Sequence, residues 1–282
     1  MIEYLLTLTS SYVFYGVWLV VFIGLLALYI GALTFDGFIA GLIVGIPIIV
    51  FAGIGPFILL LIFLLWGSMS SRIGRGWKSR FNPLGEKIGV RAWPNVIANG
   101  FWPMLSSILY YFNPIDSLKG GWLLFLTGSL AAMVADTTAT EIGMLSRSRP
   151  RLISRPSIRV DIGMSGGVTL LGIMASLIAA FIIGILSTYL LPRSFSQGIL
   201  ILSIAIGGFT GNIMDSYIGA ELQAKFRCIK CDRIVESPNH CRSKSVHIDG
   251  VRWLDNHTVN FISGLVGGLT TVAVYGVMWG RL

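Results

Sequence analysis

Charge is what this chain has least of. Asp, Glu, Lys and Arg make up 12% of its 282 residues, about half of the roughly 25% carried by a soluble domain. With hydrophobic residues at 54% and a mean hydropathy of +0.78, a soluble globular protein is excluded and the chain belongs in a bilayer. Acids are scarcer than bases, 13 against 21. The 3 cysteines all fall between residues 228 and 241, which leaves little material for disulfides, a linkage that a cytoplasmic face disfavours in any case. No basic stretch precedes the first apolar run, so Ser10 to Leu33 reads as a retained transmembrane helix rather than a signal peptide.

Apolar segments cover about 10–33, 38–53, 56–70, 93–112, 120–145, 165–191, 197–223 and 257–280. The expectation is an all-α polytopic bundle of about seven or eight spans. The second and third segments are short, and Ala52-Gly53-Ile54-Gly55-Pro56 between them reads as a tight hairpin or a broken, re-entrant element. Gly37, Gly41 and Gly45 repeat at a spacing that lets helices approach closely.

The basic residues fall in three loops, 72–91, 147–161 and 225–252, which hold every Lys and Arg except Lys119, Arg193 and Arg281. An even number of spans separates these loops, so they emerge on one face, and the positive-inside rule makes that face cytoplasmic with both termini outside. The plainer reading of such loops is orientation and contact with anionic lipid headgroups. The positions of the acids argue for more.

Asp136 and Glu141 close an otherwise apolar segment, in Asp136-Thr137-Thr138-Ala139-Thr140-Glu141. At helical pitch Asp136 shares a face with Thr140, and Thr137 with Glu141. An acid in or at the end of a span costs several kcal/mol unless something offsets it. Arginines follow at once, Arg147, Arg149, Arg151 and Arg155, and carboxylates beside guanidiniums suit a Mg²⁺–phosphate pair. The alternative is an internal acid–arginine salt bridge.

Further on, the turn Asp161-Ile162-Gly163-Met164-Ser165-Gly166-Gly167 opens into a helix and could bind an anion through its backbone N–H groups. It is not a P-loop, because no Gly-Lys-Ser/Thr follows. The seventh segment ends with Asn212, Asp215, Ser216, Glu221 and Gln223, an echo of the first acidic helix end. Two such ends facing each other could hold divalent ions. Asn95 and Asn99 open the fourth segment, and Asp255, Asn256 and Asn260 the last, with Asp255 also a reasonable helix cap. In the insertion 225–252, Cys228-x-x-Cys231 with His240-Cys241 resembles a small zinc knuckle. His240 and Cys241 are adjacent, which strains joint binding, so His247 is an alternative fourth ligand. Reduced thiols are the plain alternative.

These motifs, with Ser146, Pro150-Arg151-Leu152-Ile153, Gly163–Leu171, Met214–Gln223 and Trp253-Leu254-Asp255-Asn256, occur in the order seen in an integral-membrane family. The chain resembles the family that includes plant and cyanobacterial phytyl-phosphate kinase and the TMEM19-like proteins. Two departures are visible: Thr138 stands where the family pattern has tryptophan, and Asp161-Ile162-Gly163-Met164-Ser165 where it has Pro-Gly-Thr-Asn. The resemblance implies a membrane kinase that converts an isoprenyl monophosphate, of phytyl or geranylgeranyl type, to the diphosphate using CTP or another nucleoside triphosphate.

Combined with that resemblance, the residues are expected to divide as follows. Asp136, Glu141 and Asp215, joined by Asp255, bind Mg²⁺. Arg151, Arg155 and the turn at Gly163, Ser165, Gly166 and Gly167 hold nucleotide phosphates. Asn99, Thr137, Thr140, Gln223, Asn256 and Asn260 supply hydrogen bonds to substrate. The partners are then a prenyl phosphate, a nucleoside triphosphate and membrane lipids, with no nucleic acid and oligomeric state open. Competing classes are a transporter or flippase, which needs its acids near the midplane, and a CDP-lipid-forming nucleotidyltransferase, which shares nearly every feature.

Overall fold

A computed structural model describes residues 2–78 and 89–279. Arg80, Glu86 and Lys87 of the first basic loop lie outside the described residues. The architecture is the expected polytopic helical bundle. In chain order the helices are α1 (Ile2–Tyr29), α2 (Phe35–Pro47), α3 (Ile54–Ser70), the short α4 (Arg75–Lys78), α5 (Trp93–Phe112), α6 (Asp116–Gly143), α7 (Leu170–Leu190), α8 (Gln197–Glu221) and α9 (Asn256–Trp279). Each apolar segment read from the sequence falls on a helix, but among the described residues 6 are long and apolar enough to cross a membrane unaided, fewer than the expected seven or eight. The shortfall has two causes. Helix α3 is only 17 residues long, and α5, at 20, spends part of its length on Asn95, Asn99, Ser106 and Ser107.

Between α2 and α3 the chain passes through a π-helical turn, Ile48–Ala52, and then Gly53 at φ 91°. Helix α2 packs chiefly on α5, whereas α3 turns off against α6, so the pair is a broken element rather than a tight hairpin along its length. Thr34 caps α2 by accepting from the Gly37 N–H at 3.2 Å, and Asp36 Oδ2 accepts the Trp93 N–H at the start of α5 (3.1 Å).

The centre of the bundle is α6, whose span is 72% buried against 17–44% for the other five. Sequence explains this: its inner faces carry Gly128, Ser129, Ala131, Ala132 and Ala135, and the facing helices bring Gly207, Gly208 and Gly211 of α8 and Gly264, Gly267 and Gly268 of α9. With so little side chain between them the backbones meet closely. A Cβ added at Gly267 would lie 2.6 Å from Ala132 Cβ and 3.0 Å from the Gly128 carbonyl oxygen.

Two small antiparallel sheets stand outside this bundle. Strands β1 (Arg151–Leu152), β2 (Arg155–Arg159) and β3 (Gly167–Val168) form one, in the order β2-β1-β3. In the insertion, β4 (Lys225–Cys228), β5 (Ile234–Val235), β6 (Asn239–His240) and β7 (Ser243–Asp249) form the other, in the order β5-β4-β7-β6. The insertion leaves and rejoins the bundle at one point, where Gln223 bridges Val251 and the Ala224 N–H donates to the Leu254 carbonyl at 3.0 Å.

All three basic loops gather at one end of the bundle. Trp77 of the first donates to the Met144 carbonyl (3.0 Å), and Arg155 of the second pairs with Glu221, which leads into the third (3.3 Å). That agrees with the even spacing of spans between them.

The glycine contact predicts a large effect from a small change. Gly267→Leu is expected to lower stability by at least about 2 kcal/mol, since neither α6 nor α8 has room to retreat; a thermal unfolding scan in detergent that left the midpoint unchanged would contradict the packing described.

Candidate functional site

The close approach of α6, α8 and α9 decides what sits at the basic end of the bundle. Asp136 of α6 and Asp215 of α8 face each other with their carboxyl groups within hydrogen-bonding reach, and the nearby Ser263 hydroxyl of α9 donates to the Asn260 carbonyl at 3.3 Å. The Asn260 side chain, oriented to satisfy its neighbours, donates to Asp215 Oδ2 at 3.1 Å and to the Asn256 carbonyl at 3.2 Å. Asp215 is only 8% exposed. Two acids at such range in an apolar bundle repel if both are ionised, so the pair needs a shared proton or a cation.

The pair opens on a cavity of about 150 Å³. Thr140, Asn212, Ser216 and Asn256 line it alongside the two aspartates, and the turn from Ile162 to Thr169 forms its roof. Asn212 is 2% exposed and donates through Nδ2 to Ser176 Oγ at 3.0 Å. Its Oδ1, also buried, has no partner among the described residues. An orphaned buried acceptor costs roughly 1–3 kcal/mol, which a donor or cation entering the cavity would relieve. The donor set is oxygen only, as a hard divalent cation requires.

The wall opposite comes from the insertion, and the sequence did not single it out. Glu236, next after β5, lines the cavity. It accepts from the Ser165 N–H through Oε1 at 2.8 Å and from Gln223 Nε2 through Oε2 at 2.7 Å, and Ser165 Oγ donates to Gln223 Oε1 at 2.7 Å. Burial nonetheless pushes the Glu236 carboxyl above its ordinary range. Nothing in the local sequence distinguishes Glu236 from a solvated acid; only the fold brings it here.

Several expected site residues stand elsewhere. Glu141 does not join Asp136: it turns toward α3, where it accepts from Ser71 and pairs with the Nζ of Lys78, which is 3% exposed. Arg91 is close enough to interact with Glu141 and stacks over the Phe63 ring at 4.3 Å. Arg155 is spent on Glu221, and Arg151 donates to the Pro156 carbonyl at 2.6 Å; neither lines the cavity, so the salt-bridge alternative holds for Arg155. Asp255 caps α9, accepting from the Thr258 N–H and hydroxyl at 2.8 Å each, and lies outside the cavity. Thr137 and Asn99 do not line it either; the Asn99 amide donates to the Asn95 carbonyl at 2.6 Å. Gln223 is 1% exposed and serves as the strut between Ser165 and Glu236.

The glycine turn differs from a bare anion nest. Gly163 and Gly166 do take positive φ, 87° and 75°, and a Cβ on Gly166 would sit 2.5 Å from Ala220 backbone atoms, so the turn is clamped on α8. Its Met164, Ser165 and Gly167 N–H groups already donate to Asp161, Glu236 and Met164. It also does not run straight into the helix. Strand β3 intervenes, and Thr169 caps α7 by accepting from the Gly172 N–H at 3.1 Å.

On the far side of the insertion, Cys228, Cys231, His240 and Cys241 present donor atoms all within 4.8 Å of one another. His240 Nδ1 lies 3.4 Å from Cys231 Sγ and 3.2 Å from Cys241 Sγ. His247, the alternative ligand, stands apart with its ring edge-on to Phe226, centroids 5.4 Å apart. Burial of Cys228 favours the thiol, but the N–H groups of Cys231 and Lys230 and the His240 ring outweigh it and bring the group down to about 6.

Residues 18–268 match the family described as integral membrane protein DUF92. The chain belongs to that family. It is 32% identical over 240 residues to the uncharacterized membrane protein MJ0933 of Methanocaldococcus jannaschii, covering 85% of this chain and 84% of that one. It is also 32% identical over 265 residues to Protein PGR of Arabidopsis thaliana, covering 86% and 89%. No solved structure matches.

The Lys78–Glu141 pair yields a sharp test of its structural role. Lys78→Met alone leaves Glu141 without its close cation and should cost roughly 3–5 kcal/mol, while the double change Lys78→Met with Glu141→Leu should recover most of that loss. Denaturant unfolding in detergent measures both; equal losses would mean that Glu141 acts through something other than this pair.

Proposed function

We propose that this protein is a membrane phosphotransferase that converts an isoprenyl monophosphate to the diphosphate, with CTP or another nucleoside triphosphate as donor, at the basic, cytoplasmic end of the bundle. The observation that carries the reading is the Asp136–Asp215 carboxyl pair lining, together with Asn212 and its unpartnered Oδ1, a cavity roofed by the Gly163–Gly167 turn. Beside it stands the resemblance of the motif order to that of the phytyl-phosphate kinase family.

Asp136 and Asp215 would hold Mg²⁺, with Asn212 and Asn256 offering further oxygens; the bound ion would neutralise phosphate charge against the two acids. The chain's own residues do the rest. Asn260 would hold Asp215 in place through its Oδ2. Thr140 and Ser216, which line the cavity, would offer hydroxyl groups to phosphate oxygens there. Glu236 and Gln223 hold the turn closed over them. Met144, Met164 and Ile173 make the apolar wall, and from Ile173 the exposed Leu170, Met174 and Ile178 of α7 continue toward lipid, a route for the prenyl tail. The acceptor phosphate is already anionic, so positioning and charge neutralisation carry the barrier reduction and no strong general base is needed. With Arg151 and Arg155 engaged elsewhere, the exposed Arg147 and Arg149 just before β1 would be cations able to meet the nucleotide.

A transporter places its acids mid-membrane on a path through the bundle. Here the cavity is bounded by the extramembrane turn and by the insertion, which supports chemistry at the interface instead. The test is direct. Purified protein with Mg²⁺, CTP or ATP and geranylgeranyl or phytyl phosphate should yield prenyl diphosphate and nucleoside diphosphate. Asp136→Asn should lower the rate by about 10³-fold or more, and Arg155→Ala by little. Release of pyrophosphate with a CDP-lipid product would turn the reading to nucleotidyl transfer. Absence of product with every prenyl phosphate, beside ion-coupled uptake in liposomes, would end it.

A further inference from the structure

We infer that Cys228, Cys231, His240 and Cys241 bind one zinc ion, and that this ion holds the insertion in the shape that seats Glu236 in the wall of the aspartate cavity. The inference does not depend on the phosphotransferase reading.

Three soft thiol donors and one imidazole nitrogen, all within 4.8 Å of one another, are a donor set for tetrahedral zinc. The backbone around them is bent to that end. The Cys228 sulfur lies 3.8 Å from the His240 carbonyl oxygen, so the first ligand turn already sits against the second. The turn closes with the Asp232 N–H donating to the Cys228 carbonyl at 2.9 Å, with Asp232 itself at φ 56°. The second half solves the problem of adjacent ligands. Cys241 and Arg242 take φ 50° and 56°, and the reversal folds Cys241 Sγ back beside His240 Nδ1. Left-handed backbone at three non-glycine residues costs about 1–3 kcal/mol each and persists only where something over-determines it. The ligands come from β4 and the turn after it and from β6 and the turn after it, so one ion would pin the two turns of the sheet whose strands the β4–β7 pairing already joins.

The insertion has little else to hold it. Among the described residues of 225–249, only Phe226, Cys228 and His240 are buried, and β7 alternates between half-buried and exposed positions. A segment this small, with so few buried side chains, needs a metal or cross-links to keep one shape. A disulfide would consume two of the three cysteines and orphan the third beside the histidine. Strand β5, paired to β4 through Phe226↔Val235 and Arg227↔Ile234, carries the fold across to Glu236, the next residue along. From there the contact to Ser165 N–H passes to the glycine turn at 2.8 Å.

The full-length protein, purified without chelators, should contain about one zinc per chain by elemental analysis. Its three thiols should resist a thiol reagent until a strong chelator is added, then react together. Cobalt exchanged into the site should show a thiolate charge-transfer band that Cys231→Ser weakens. Should that variant fail to fold, the chelated wild type supplies the same comparison. Zinc-free protein whose thiols react at once, or protein with a disulfide, would overturn the site. For the coupling, amide exchange at residues 161–167 should speed up about tenfold or more when zinc is removed, and Glu236→Gln should loosen the same turn while keeping its zinc. Exchange there that ignores the metal would overturn the link to the cavity.

Discussion

Everything at the polar end of this molecule depends on how closely α6, α8 and α9 approach. Two carboxyl groups in an apolar bundle are tolerated only if held against each other and against compensating donors, and that demands backbone positions that do not drift. The glycine and alanine faces supply the constraint: helices with no side chains between them have one way to sit together. Asp136 and Asp215 then meet on helices that belong to different parts of the chain, with Ser263 and Asn260 arriving from a third. The cost of burying the pair is offset by packing along the whole length of the bundle, and the cavity inherits its rigidity.

Around that fixed pair the structure divides its charge into two compartments. On one side lie the aspartates, the Asn212 oxygen and Glu236. On the other, Glu141, Lys78 and Ser71 knit α3 and α4 to α6, with Arg91 nearby over Phe63. One helix thus serves both: its last turns send one acid to the cavity and another to the seam with α3 and α4. Trp66 marks the border, donating from α3 to Thr138 Oγ1 at 2.8 Å. An indole from another helix therefore packs against the α6 turn that carries both acids.

The bundle was legible because apolar runs of span length have few alternatives in water, and every such run became a helix. Asp136 and Asp215 were legible for the same reason, as acids where acids are expensive. Glu141 was misplaced although its spacing held the answer: five residues at about 100° each put it roughly 140° around the helix from Asp136, on another face. Arg151 and Arg155 misled because adjacency in sequence was read as adjacency in space, while the β1–β2 hairpin carries them off the cavity. Asp255 was ambiguous between cap and ligand, and the Thr258 N–H decided it. Glu236 could not be found at all, since only the pairing of β4 with β5 brings it to the turn.

The two feet of the insertion bear on how such proteins diversify. Gln223 and Val251 stand side by side, the Val251 N–H donates to the Leu222 carbonyl at 2.8 Å, and Gly250, at φ 76°, lets the chain return without a gap. The distance between the ends of α8 and α9 is therefore set by the clamp and not by what is threaded between. A change of length within 225–249 is therefore expected to leave the separation of Asp215 and Asn260 unaltered, whereas a change at Glu236, on the inner edge of the insertion, alters the cavity wall directly.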